Sequence, residues 1–226
     1  MDSIEVRSSI AAIYDRFLIP RSLRLHMYRV ACVAEMICDN WKGPRIKKED
    51  VVAACLLHDV GNIVKFDFES GNTLNILDEP QSEINRLKRV KESVIAKYGR
   101  MDNEASHNMM IELDIDKKIV SIVDGMSRIF DKKNKGRGED YELLICGYAD
   151  FRVEPNRISS VTERFADFAK RNIDNPNSGM KARGASVMSK LPDALVIEKN
   201  IFANATIKPE EVNDKSIKPY LDKYMK

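Results

Sequence analysis

Histidine can ligate a metal or move a proton near neutral pH, and it occurs three times in this chain, as His26, His58 and His107. His58 is the most informative. It is followed by Asp59 at the end of an apolar run, residues 51–57, that reads as a buried helix. An imidazole or carboxylate withdrawn from water is costly unless something compensates. A divalent cation would, because neutral imidazole nitrogen and carboxylate oxygen are ordinary ligands for transition metals. Adjacent helical residues point about 100° apart, so this doublet can meet one ion only at the final turn of its helix. Gly61 relaxes the backbone there, and the other ligands must come from different helices. His26 lies near the start of the preceding helix, and Asp150 ends another apolar helix much as Asp59 ends its own. Two imidazoles and two carboxylates leave positions open on a six-coordinate ion for water and substrate.

The elements that must position these groups are read from helical periodicity, since no alternating strand pattern is present. Helices are expected over residues 3–18, then from about 22 to 41 with Leu23, Val30, Val33, Ala34 and Ile37 as the apolar stripe, and over 48–59. Residues 60–78 read as a long loop. Pro80 opens a charged helix that Gly99 ends, and shorter helices are expected near 102–113, 116–130, 139–150 and 155–173. The polar stretch 131–138 between them reads as a solvated, mobile loop. A boundary is expected at 175–179, dividing a domain over residues 1–175 from a C-terminal helical extension over 176–226 that packs on the core with one or two helices. The fold class is all-α.

Bulk properties exclude several alternatives. A chain of 226 residues with 43% apolar and 32% charged residues is an ordinary globule and not a disordered segment. A net charge of +2 argues against bulk nucleic acid or an acidic membrane as partner. No run approaches the length of a membrane span, and the first residues lack the pattern of a secretion signal. Cys32, Cys38, Cys55 and Cys146 sit singly in apolar patterns, which leads to the expectation of reduced core cysteines and a cytoplasmic setting.

The order His26, then Leu56-Leu57-His58-Asp59-Val60-Gly61, then Tyr148-Ala149-Asp150, resembles the HD-domain metal-dependent phosphohydrolases over about residues 20–160. The resemblance implies an HD-like helical bundle in which His26, His58, Asp59 and Asp150 bind a divalent ion such as Mn, Mg, Fe, Ni, Co or Zn. It implies hydrolysis of a phosphorylated small molecule, most plausibly a nucleotide, by attack of metal-activated water on phosphorus. Asp59 would also orient that water. Family members with two metals use further histidines, one near His107 and one about a helix later, where this chain has Asp124. Either His107 and Asp124 hold a second ion, or one ion is bound and His107 contacts substrate or acts as general acid, or His107 is structural. Glu104, three residues earlier, shares its helix face. The ending from Asp150 to Arg157 somewhat resembles the branch that hydrolyses dinucleoside tetraphosphates, against which the absent later histidine counts.

Arg29 falls one turn after His26, Lys65 follows the His-Asp turn, and Arg152 and Arg157 flank Asp150. Together they are expected to form a phosphate pocket. Asn62 stands where many relatives carry a cation, which weakens direct cationic assistance there. Two other classes remain open at this stage. One is a non-catalytic HD-fold module that binds metal or nucleotide. The other is a helical scaffold built on the charged stretch 82–92, a pattern that is usually a solvated face. A homodimer is compatible with the pattern.

Overall fold

The computed structural model describes residues 3–77, 79–130, 140–173, 175 and 178–225. Among these the regular structure is helical, apart from two isolated bridges that pair Trp41 with Ala205 and Val153 with Ile158. In chain order the helices are α1 (Ser3–Arg16), α2 (Arg21–Asp39), α3 (Lys48–Leu57), α4 (Gly71–Leu77), α5 (Gln81–Tyr98) and α6 (Asp102–Glu112). They continue with α7 (Lys117–Met126), α8 (Tyr141–Asp150), α9 (Val161–Asn172), α10 (Ser178–Val187), α11 (Leu191–Phe202) and α12 (Asp214–Tyr224).

The short α3, uncharged after its first three residues, forms the axis. Val51, Ala54, Cys55, Leu56 and Leu57 are buried, and the helix packs against α2, α7 and α8. α2 presents a wide apolar face from Leu23 to Ile37, with Met27, Ala31 and Cys32 buried alongside the expected stripe. The Tyr14 hydroxyl donates to the Leu56 carbonyl at 2.6 Å, so α1 satisfies a buried acceptor in the last turn of α3. α5 ends as expected at Gly99, whose φ of 113° lies in a region that favours glycine.

Several boundaries differ from the sequence-based expectation. The stretch 60–78 holds a 3-10 turn, Asn62–Lys65, and the short α4. α9 begins at Val161 and not near 155. Residues 153–158 form a small bridged turn, and the Ser160–Glu163 capping box then starts the helix. Three helices, not one or two, follow residue 175, and Ala194, Ile197, Ile201, Val212 and Ile217 from this region join the core cluster. α12 packs on α2, with Tyr224 stacked on Tyr28 at 5.2 Å between ring centres. The stretch 131–138, expected as a loop, lies outside the described residues. Cys32, Cys38, Cys55 and Cys146 are free thiols. No helix among the described residues is long and apolar enough to cross a membrane.

Arg152 ties the C-terminal helices to the end of α8. It is buried, and its guanidinium donates to the carbonyls of Ser159, Pro209 (3.1 Å) and Val212 (2.8 Å) and to the Tyr148 hydroxyl. Truncating it strands these acceptors away from water. Arg152→Ala is therefore expected to lower the unfolding free energy by about 3 kcal/mol in a urea titration. A change within the scatter of surface substitutions would refute this bracing role.

Candidate metal centre

α3 ends at Leu57, and His58 (φ −59°, ψ −31°) caps it while the chain continues through a turn to Gly61. The His58 Nδ1 lies 2.8 Å from the Cys55 carbonyl. That contact places the proton on Nδ1 in the neutral ring and leaves the Nε2 lone pair to face inward. This Nε2 is buried and has no hydrogen-bond partner among the described residues. It lies 3.6 Å from Asp59 Oδ2 and 3.7 Å from Asp150 Oδ1, beyond hydrogen-bonding reach, so the attraction there is one of charge.

α2 brings His26 to the same place. Its Nε2 is 3.2 Å from Asp150 Oδ1 and 3.8 Å from Asp59 Oδ2, and the two imidazole centres are 5.4 Å apart. Asp59 is oriented from below by Asn62, whose side-chain amide donates to Oδ2 at 2.7 Å. Asp150 comes from the last turn of α8. Three helices thus deliver the four side chains that the sequence marked. His26, His58 and Asp59 have ligating atoms within 4.8 Å of one another, and Asp150 Oδ1 lies against both imidazoles.

Gly61 matters for space and not for a left-handed backbone, since its φ is −90°. A Cβ there would meet the Ser106 backbone nitrogen at 2.4 Å and the Ala105 carbonyl carbon at 2.8 Å. Its own N–H donates to the Ser106 hydroxyl at 3.0 Å. α6 can therefore lie directly against the His-Asp turn.

The electrostatics of the cluster favour a cation. Burial pulls the His58 pKa down, but the Asp59 and Asp150 carboxylates outweigh it and hold the imidazole up at about 9. Burial would likewise raise the Asp150 carboxyl, yet the neighbouring His26 and His58 rings keep it well below the usual carboxylate range. Metal–ligand bonds of about 2.0–2.2 Å put neighbouring donor atoms about 3.0–3.5 Å apart. The separations of 3.2–3.8 Å are close to that. The inward-facing, unpartnered His58 Nε2 fits an ion held by His26, His58, Asp59 and Asp150.

The centre opens on a cavity of about 380 Å³, whose lining includes His26, Asp59, Asp150, Lys65, Arg164 and Phe168. Of the four cations expected to line a phosphate pocket, Lys65 does so, paired with Asp102 at 2.9 Å. The other three are corrections. Arg29 donates to the Pro155 carbonyl at 3.1 Å, and Arg157 is held by Glu154 at 2.9 and 3.0 Å. Arg152 is consumed by the bracing described above. None of the three lines the cavity. In their place α9 and α10 contribute Arg164, Arg171 and Arg183. Arg164 shares a helix face with Phe168, one turn later, so a cation on an apolar face was the available signal. His107 and Asp124 meet across α6 and α7, with Nδ1 2.9 Å from Oδ2. They are absent from the cavity lining, and they do not belong to the group of three ligands.

The architecture and the cluster define an all-helical domain built around a His/His/Asp/Asp centre. Residues 24–129 match the family model described as HD domain. That segment, a little under half of the chain, is therefore similar to HD domains, a family consisting mostly of metal-dependent hydrolases. No curated protein and no solved structure matches the chain. The matched segment contains His26, His58 and Asp59 and stops before Asp150 and α9–α12.

Because a ligating His58 must lose the proton it holds up to about pH 9, protons compete with metal below that value. Affinity for Mn2+ is expected to rise as pH increases from 7 to 9, with proton release detectable in calorimetry. Saturating Mn2+ should also raise the melting temperature of the wild type, but not of Asp150→Ala. A pH-independent affinity would contradict the ligand role of His58.

Proposed function

We propose that the protein is a metal-dependent phosphohydrolase acting on a phosphorylated small molecule, and that its substrate is a nucleotide. The observation that carries this reading is the buried, unpartnered His58 Nε2 facing Asp150 and Asp59 beside an open cavity. A divalent ion held there would supply Lewis acidity toward a phosphoryl oxygen and lower the pKa of water. The protein's own groups do the rest. Asp59, fixed by Asn62, is placed to accept a hydrogen bond from the attacking water and so aim it. Lys65, held at the cavity wall by Asp102, adds positive potential where phosphate charge must be accommodated. Phe66, which also lines the cavity, offers an aromatic ring against which a nucleobase can pack. His107, bonded to Asp124 and absent from the lining, is assigned no step.

The test is phosphate release from a panel of nucleotides and other phosphate esters with Mn2+, Mg2+, Fe2+, Ni2+, Co2+ or Zn2+. Asp59→Ala is expected to reduce turnover by at least about a hundredfold while the helical circular dichroism persists. Unimpaired turnover in that variant would refute the assignment. A metal-loaded wild type that releases no phosphate from any ester would point instead to a binding module.

A further inference from the structure

Arg164 is the fourth residue of α9, and the Ser160–Glu163 capping box fixes the start of that helix. It lines the cavity that also contains His26, Asp59 and Asp150. Its Nε and Nη1 are buried, yet among the described residues neither has a hydrogen-bond partner. The other cations of this wall differ. Lys65 is paired with Asp102, Arg171 with Asp167 at 2.7 Å, and Arg183 approaches Asp102 at 3.5 Å. The central carbon of the Arg164 guanidinium lies 5.6 Å from the centre of the Phe168 ring.

A guanidinium does not shed its charge at physiological pH, so it cannot escape burial by deprotonating. Leaving its donors unmatched weakens the fold, and an apolar side chain of similar length would pack there at lower cost. Burial does pull its pKa below the ordinary arginine value, and the largest opposing influence is the Asp150 carboxylate. The group is therefore electrostatically coupled to the metal centre while its own donors await an acceptor.

We infer that Arg164 is the residue that grips the phosphoryl oxygens of the substrate beside the metal centre. The direct grip on the anion then comes from α9, outside the matched segment 24–129, with Lys65 adding only potential at the cavity wall. This inference rests on the phosphohydrolase reading. The planar guanidinium suits a phosphoryl group, whose several oxygens can be shared between a cation and an arginine. Phe168, one turn along α9, then lies beside the gripped phosphate, where the organic part of a substrate can stack.

The experiment uses the full chain in Mg2+ buffer and titrates inorganic phosphate by calorimetry into wild type, Arg164→Met and Arg164→Lys. Thermal melting of each protein is followed in parallel. Arg164→Met is expected to weaken phosphate binding by at least about tenfold, with Arg164→Lys in between. Arg164→Met should also melt no lower than wild type, because it removes a buried charge without a partner. A merely structural arginine would give the reverse, a lower melting temperature with phosphate affinity unchanged, and that result overturns the inference. Absence of phosphate binding by the wild type at millimolar concentrations overturns it as well. The two readings fail separately. Phosphate bound through Arg164 without turnover of any ester removes the hydrolase, whereas turnover with undiminished phosphate affinity in Arg164→Met removes only Arg164.

Discussion

The structure is organised around a buried charge problem at the end of α3. His58 must keep Nε2 free and inward, and two carboxylates, Asp59 and Asp150, must stay close enough to one another's imidazole neighbours to share a cation. The carboxylates drive the His58 pKa up against the pull of burial, so the ring takes on the imidazolium character that holds them beside it. Such a cluster is tolerable only when the supporting backbone is rigid. Tyr14 donating to Leu56, His58 Nδ1 against Cys55 and Gly61 against Ser106 supply that rigidity from three directions. Each contact acts on backbone within a few residues of the doublet, so the side chains inherit their aim from the main chain.

This also explains what could be read in the sequence. The helical class, the axis helix 48–57 and the convergence of His26, His58, Asp59 and Asp150 follow from local facts: an apolar run, a polar doublet at its end, and apolar helices that end in aspartate. The phosphate pocket was less legible. Nearness in sequence to a ligand placed Arg29, Arg152 and Arg157 in it, but the direction of a long side chain depends on which acceptors tertiary packing supplies. For these three the acceptors are Pro155, the Ser159, Pro209 and Val212 carbonyls, and Glu154. Three of them, the Pro155, Pro209 and Val212 carbonyls, are more than fifty residues away, beyond any window of local pattern. Arg164 was missed for the converse reason: it lies 14 residues beyond Asp150, outside the ligand motif, and only the fold brings it to the wall of the cavity that Asp150 also lines.

Gly61 shows how a correct position can carry the wrong reason. In sequence it reads as a residue that loosens the helix end, yet its backbone angles are ordinary and its value is the absent Cβ. α6 needs that space to bring its own backbone against the His-Asp turn. Substitution there would therefore act on the placement of α6, with its His107 and Asp102, as well as on the doublet itself.

The division of labour along the chain follows from the same geometry. The segment 24–129 carries three of the four clustered side chains, His26, His58 and Asp59, and α8 adds Asp150 from beyond it. The ends of those ligand helices are braced from outside by later elements: Arg152 reaches the 209–212 segment, and Tyr224 of α12 stacks on Tyr28 of α2. The cavity wall opposite the centre is then built by α9 and α10, which are pinned to the same frame through Arg183 and Asp102. A centre fixed on one set of helices and a wall supplied by another can change independently. Substitutions on α9 or α10 can alter what fits beside the ion, while the ligand geometry depends on the contacts made by α2, α3 and α8.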